Sequence, residues 1–114
     1  MMRVLVCGSR DWANEDVIRM RLRMLPRETI IMHGGCRGAD TIASAHALSL
    51  GMIVDEYPAN WRERGKQAGV LRNLLMLDQK PDRVLAFQRN GSTGTQHVID
   101  ETRKRGIPLE VFSA

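Results

Sequence analysis

The 114-residue sequence predicts an α/β fold, a mostly parallel five-stranded sheet flanked by helices on both faces. Three observations predict it. Short apolar runs alternate with segments of helical periodicity from end to end, and no internal repeat or low-complexity stretch interrupts them. Glycine-bearing loops also stand where strands hand over to helices: Gly8-Ser9-Arg10, Gly34-Gly35-Cys36-Arg37-Gly38-Ala39-Asp40 and Gly91-Ser92-Thr93-Gly94-Thr95.

Arg3–Gly8 (RVLVCG) is an apolar run closed by glycine, the pattern of a buried strand. Residues 14–25 begin at the capping residue Asn14, place Ile18, Leu22 and Leu25 at i, i+4 and i+7, and stop before Pro26, which predicts an amphipathic helix. A second strand is predicted over 29–33. It leads through the GGCRGAD loop into a helix over 40–50, closed by Gly51 at C′, in which Ala39, Ala43 and Ala47 permit close approach to the sheet. Residues 53–57 predict a third strand ended by Pro58, and the polar stretch 59–66, which holds Trp61, predicts a loop. A third helix is predicted over 67–77. Pro81 and Asp82 precede a fourth strand at 84–87, which opens through 88–95 into a fourth helix ending near Arg105 at Gly106; the fifth strand is 109–112, after Pro108. The length is that of one domain, 1–114.

In such sheets ligands bind beyond the carboxyl ends of the strands, where the strand order reverses. All three loops fall on that edge. A strand order of 3-2-1-4-5 sets the first and fourth loops across one crevice with the second beside them, whereas 2-1-3-4-5 would separate them; the pattern is compatible with both.

A hydrophobic fraction of 43% and a charged fraction of 26% describe a chain with a packed core. No apolar run spans a bilayer and no secretory leader is read, so a cytoplasmic protein without a membrane partner is expected. Cys7 and Cys36 lack metal-ligand or disulfide spacing, and His33, His46 and His97 add none, so neither metal nor cofactor is expected. The net charge is +4, and 14 of the 17 basic residues are arginine, the side chain best shaped to grip phosphate. Arg19, Arg21 and Arg23 read as a solvated helix face.

Glycine and hydroxyl residues at a strand-to-helix loop offer free backbone N–H groups at a positive helix end, the chemistry that holds a phosphate. The candidate ligand-binding residues are therefore Gly8, Ser9 and Arg10, then Gly34, Gly35, Arg37, Gly38 and Asp40, then Ser92, Thr93, Gly94 and Thr95. Arg72 joins them because an arginine inside an apolar helix needs a ligand or a carboxylate, and Asn73 follows it. Asp40 also suits a helix start. Trp12 and Trp61 each follow a motif loop, where stacking on a base and packing are both open readings.

The ordered motifs GSRDW (8–12), HGGCRGAD (33–40), Ala59-Asn60-Trp61, GVLRN (69–73) and STGT (92–95) resemble the YspA-type, YpsA-related branch of the SLOG superfamily. That resemblance implies a Rossmann-like domain binding nucleotides or nucleotide-derived molecules. It also brings comparison with the LOG phosphoribohydrolases, whose phosphate loop reads GGxGTxxE after an arginine-bearing helix. Gly91, Gly94 and Thr95 match that loop, Arg72 and Met76 resemble the helix, Ser92 replaces the second glycine, and Val98 stands where the catalytic glutamate would be. Valine can neither activate water nor steady positive charge. Asp100 and Glu101 point elsewhere on the helix, so Asp11, closer to the crevice, is the first substitute acid and Asp40 the second, and the identity of any catalytic residue is unknown.

The leading expectation is a sensor or sequestering protein for a small phosphorylated nucleoside, ADP-ribose-like or cyclic. The alternatives are a LOG-like phosphoribohydrolase and DNA-processing-type nucleic-acid binding, the latter disfavoured by three lysines and 4% aromatic residues. The resemblance to LOG-type proteins implies a homodimer or larger homo-oligomer.

Overall fold

The computed structural model describes residues 1–113. Its elements run β1 (Arg3–Gly8), α1 (Glu15–Arg23), β2 (Ile30–His33), α2 (Ala39–Ser49), β3 (Ile53–Glu56), α3 (Trp61–Arg64), a 3₁₀ turn (Gly65–Gln67), α4 (Ala68–Asp78), β4 (Arg83–Gln88), α5 (Thr93–Lys104) and β5 (Leu109–Ser113). The strands form one sheet in the order β3-β2-β1-β4-β5, and every neighbouring pair is parallel. The first of the two strand orders is therefore the one adopted.

The central strands are apolar at successive positions because both of their faces are covered. Val4, Val6, Ile31, Leu85 and Phe87 point to one side, where Ile18 and Leu22 of α1 and Ala39, Ala43 and Ala47 of α2 meet them. Leu5, Cys7, Met32, Val84 and Ala86 point to the other, against Met76 and Leu77 of α4 and Val98 and Ile99 of α5. Each fully buried aliphatic side chain contributes about 1.5–3 kcal/mol. The three alanines are fully buried, so α2 lies close against the sheet, as their spacing predicts.

Two expectations need correction. Residues 59–66 are not a loop throughout, because Asn60 Oδ1 accepts the Glu63 N–H at 3.2 Å and caps the short helix α3. Helix α1 ends at Arg23 rather than Leu25, and the Leu25 N–H closes a final turn on the Leu22 carbonyl at 3.0 Å. The two tryptophans also part company. Trp12 is buried edge-on against Phe87, with ring centroids 5.5 Å apart, and donates its Nε1–H to the Asn14 carbonyl at 2.8 Å. Trp61 is 51% exposed.

Candidate functional site

Because β1 and β4 are neighbours and β2 flanks β1, the loops after these three strands open on one crevice. Ser9 joins them. Its Oγ accepts the Arg89 N–H at 2.7 Å and donates to the Arg89 carbonyl at 3.1 Å, tying the β1 loop to the β4 loop. The Ser9 carbonyl also accepts the Ala39 N–H at 3.3 Å, which draws in the start of α2. Gly38, at φ +79°, lies so close to the Ser9 and Arg10 carbonyls that a Cβ there would collide with them. Serine and glycine at these positions build the junction of the loops.

The second loop is shaped from within by Asp40. Its Oδ2 accepts the Gly34 N–H at 3.0 Å and the Cys36 N–H at 3.4 Å, curling the loop around the first turn of α2. Both readings of Asp40 thus meet in one residue, which organises the loop and also lines the crevice. Burial pushes its carboxyl up to about 6, against the pull of those two N–H groups and of Arg72; Glu56 pushes the same way as burial. His33 accepts the Gly35 N–H on Nδ1 at 2.9 Å, which puts the ring proton on Nε2, and burial lowers its pKa.

Arg72 crosses from α4 to the same loop. Its Nη1 donates to the Gly34 carbonyl at 2.7 Å, Nε to Asn73 Oδ1 at 2.8 Å, and Nη2 approaches Cys36 Sγ at 3.7 Å. The guanidinium lies against the Cα of Gly34, so a Cβ there would require the Arg72 side chain to shift. The partner that a half-buried arginine requires is thus a backbone carbonyl rather than a carboxylate.

The resulting cavity has a volume of about 720 Å³, within the range of small-molecule sites. Of the candidate residues, Gly8, Ser9, Arg10, Arg37, Asp40, Arg72, Asn73, Ser92, Thr93, Gly94 and Thr95 line it; Gly34, Gly35 and Gly38 lie behind it and shape the loop. Five cations face it, Arg10, Arg37, Lys66, Arg72 and Arg89, against the carboxylates Asp11 and Asp40. Neither Arg10 nor Arg37 forms an ion pair among the described residues, whereas Arg89 lies 3.9 Å from Asp11. The first turn of α5 also opens on the cavity, and its N-cap Ser92 makes no capping hydrogen bond to the backbone N–H groups of that turn. Val98 sits on the wall, buried in the α5 core. Asp100 and Glu101 are turned away toward Gln96 and toward Lys104 and Arg105.

Several lining residues were not among the sequence candidates, notably Lys66, Arg89, Asn90 and His97, while Trp61, for which stacking and packing were both open, stands at the cavity wall. Arg89 carried a readable signal. It precedes Asn90-Gly91, whose φ values of 55° and 60° make the tight turn expected of an Asn-Gly pair at a strand end.

The sequence is also similar to known proteins. A family model described as YAcAr, the YspA, cpYpsA-related SLOG family, matches residues 2–63, just over half of the chain, including the first two loops. The chain belongs to this SLOG family. A relative, the Gene 61 protein of Mycobacterium phage D29, is 38% identical over 121 aligned residues, covering 98% of this chain and 97% of the relative. The SLOG assignment and the all-parallel Rossmann-like sheet accord with the resemblance carried by the loop motifs. No helix among the described residues is long and apolar enough to cross a membrane.

Proposed function

We propose that this SLOG domain binds a small phosphorylated nucleoside, ADP-ribose-like or cyclic, and acts as a sensor or sequestering protein. The observation that carries the reading is Arg10 and Arg37, two arginines without an ion-pair partner among the described residues, facing the same cavity as the first turn of α5. Backbone N–H groups at a helix start and two guanidinium groups are complementary to phosphate oxygens. Trp61 at the wall offers an exposed aromatic face to a base.

Val98 favours binding over turnover. At the place of the LOG glutamate the wall is apolar, and Asp11 stands exposed beside Arg89. A thermal-shift panel with ADP-ribose, AMP, single-stranded and duplex DNA, with free adenine followed in the AMP arm, tests this reading. Stabilisation by the nucleotides without adenine release is expected. Robust adenine release would favour a phosphoribohydrolase, and stabilisation by DNA alone would favour nucleic-acid binding.

The proposal includes self-association. Val70, Leu71 and Leu75 are exposed on α4, beside the cavity residues Gly69 and Arg72, and such an apolar helix face suits a second copy of the chain.

A further inference from the structure

Asp40 keeps one oxygen in reserve. Both hydrogen bonds that shape the second loop use Oδ2, from the N–H groups of Gly34 and Cys36. Oδ1 takes no protein partner among the described residues and is not among the fully enclosed polar atoms, although the residue as a whole is only 5% exposed and lines the cavity. The cavity therefore has an acceptor inside a largely cationic wall. A second phosphate oxygen would be repelled there, whereas a hydroxyl would donate to it.

We propose that Asp40 Oδ1 accepts a hydrogen bond from a sugar hydroxyl of the bound ligand, so that the site selects phosphorylated sugars and nucleosides over inorganic phosphate and over their deoxy analogues. This rests on the anion-binding reading above and names the second group that the ligand must carry. Arg10, Arg37 and the start of α5 take the phosphate, while Asp40 supplies the discrimination. A site built to bond a hydroxyl rejects the analogue lacking it, because its own buried polar atom is left without a partner.

The charged and titratable groups facing Asp40 are Arg72 from α4, Glu56 from β3 and Cys7 from β1. Burial raises the Cys7 thiol far above its ordinary range, so it stays neutral. Asp40 is the group among them that changes charge near pH 6. Protonation would turn its strong anionic acceptor into a weaker neutral one, and the preference for the hydroxyl should fall with it.

The test measures the affinity of AMP, 2′-deoxy-AMP, 3′-deoxy-AMP and inorganic phosphate for the wild type and for Asp40→Asn, at pH 7.5 and pH 5. In the wild type at pH 7.5, AMP should exceed at least one deoxy analogue by about tenfold or more, the size expected for a hydrogen bond to a charged group. Asparagine can keep the loop bonds through its carbonyl oxygen while turning an NH₂ group toward the cavity. The preference should then shrink several-fold, because the neutral NH₂ can only donate to the hydroxyl oxygen in place of a charge-assisted bond, with inorganic phosphate bound as well as before or better. A purely structural role would instead weaken every probe alike. The wild type provides a second measurement that needs no variant, since its AMP preference should shrink several-fold at pH 5; titration of the phosphate itself cancels in that ratio. Equal affinity for AMP and both deoxy analogues in the wild type, or an undiminished preference in Asp40→Asn, would overturn the role of Asp40 while leaving the anion site intact. Absence of binding by AMP and phosphate alike would overturn the anion site and this inference together.

Discussion

Asp40 is a buried acid whose charge is costly at neutral pH. Its carboxyl is raised from 3.8 to about 6, chiefly by burial, so between those values the folded chain holds a proton that the unfolded chain has lost. The stabilisation from that proton is complete below about pH 4 and disappears as the pH rises through 6. Relative to Asp40→Asn, the wild type should lose on the order of 1–3 kcal/mol between pH 4 and pH 7.5, read from urea midpoints of both proteins. A stability gap that stays constant with pH would contradict this account of the residue. The dual role of Asp40 is only half legible in sequence. An aspartate at a helix start is a familiar pattern, but its bonds to Gly34 and Cys36 depend on how the loop curls. Ser9 is similar: its hydroxyl meets Arg89, 80 positions away, a pairing that requires β1 and β4 to be neighbours.

At the scale of elements, the glycines of the three loops do different work, which a paired substitution separates. Gly38 has a positive φ and is crowded by the Ser9 and Arg10 carbonyls, so Gly38→Ala should destabilise the fold by about 2 kcal/mol or more. Gly94 has open space around it in the first turn of α5. There, Gly94→Ala should stabilise the helix by about 0.5–1 kcal/mol yet weaken AMP binding, because the added methyl stands in the cavity. Thermal unfolding and AMP titration of both variants check the pair; equal loss of stability in the two would contradict it. The strands and the four longer helices were legible because apolar runs, caps and glycine stops agree with one another along the chain. Helix α3 was not, since four residues are too short to show a period. Its one signal was the Asn60 to Glu63 spacing of a capping box, set inside a polar stretch.

At the scale of the whole molecule, the strand order creates the site. With β1 beside β4, two loops face each other at the point where the connections reverse, and β2 brings the third, so a single cavity gathers residues from Cys7 to Val98. Sequence pattern reached the sheet and its loops but left two strand orders open, because local periodicity does not encode which strands pair. The exposed apolar face of α4 extends the same logic beyond one chain. If the chain pairs through this face, the wild type should self-associate and replacing Leu71 and Leu75 with aspartate should yield a folded monomer, as measured by light scattering with circular dichroism; an unchanged molar mass would contradict pairing through this face. Calorimetric titration of AMP into the wild type and into the double variant Arg10→Ala/Arg37→Ala measures what these two arginines contribute to the phosphate site at the cavity. Both arginines lack ion-pair partners among the described residues, so the variant should keep its melting temperature while its affinity falls by about 1.5–3 kcal/mol for each charge-assisted bond removed. Unchanged affinity in a fully folded double variant would contradict the account.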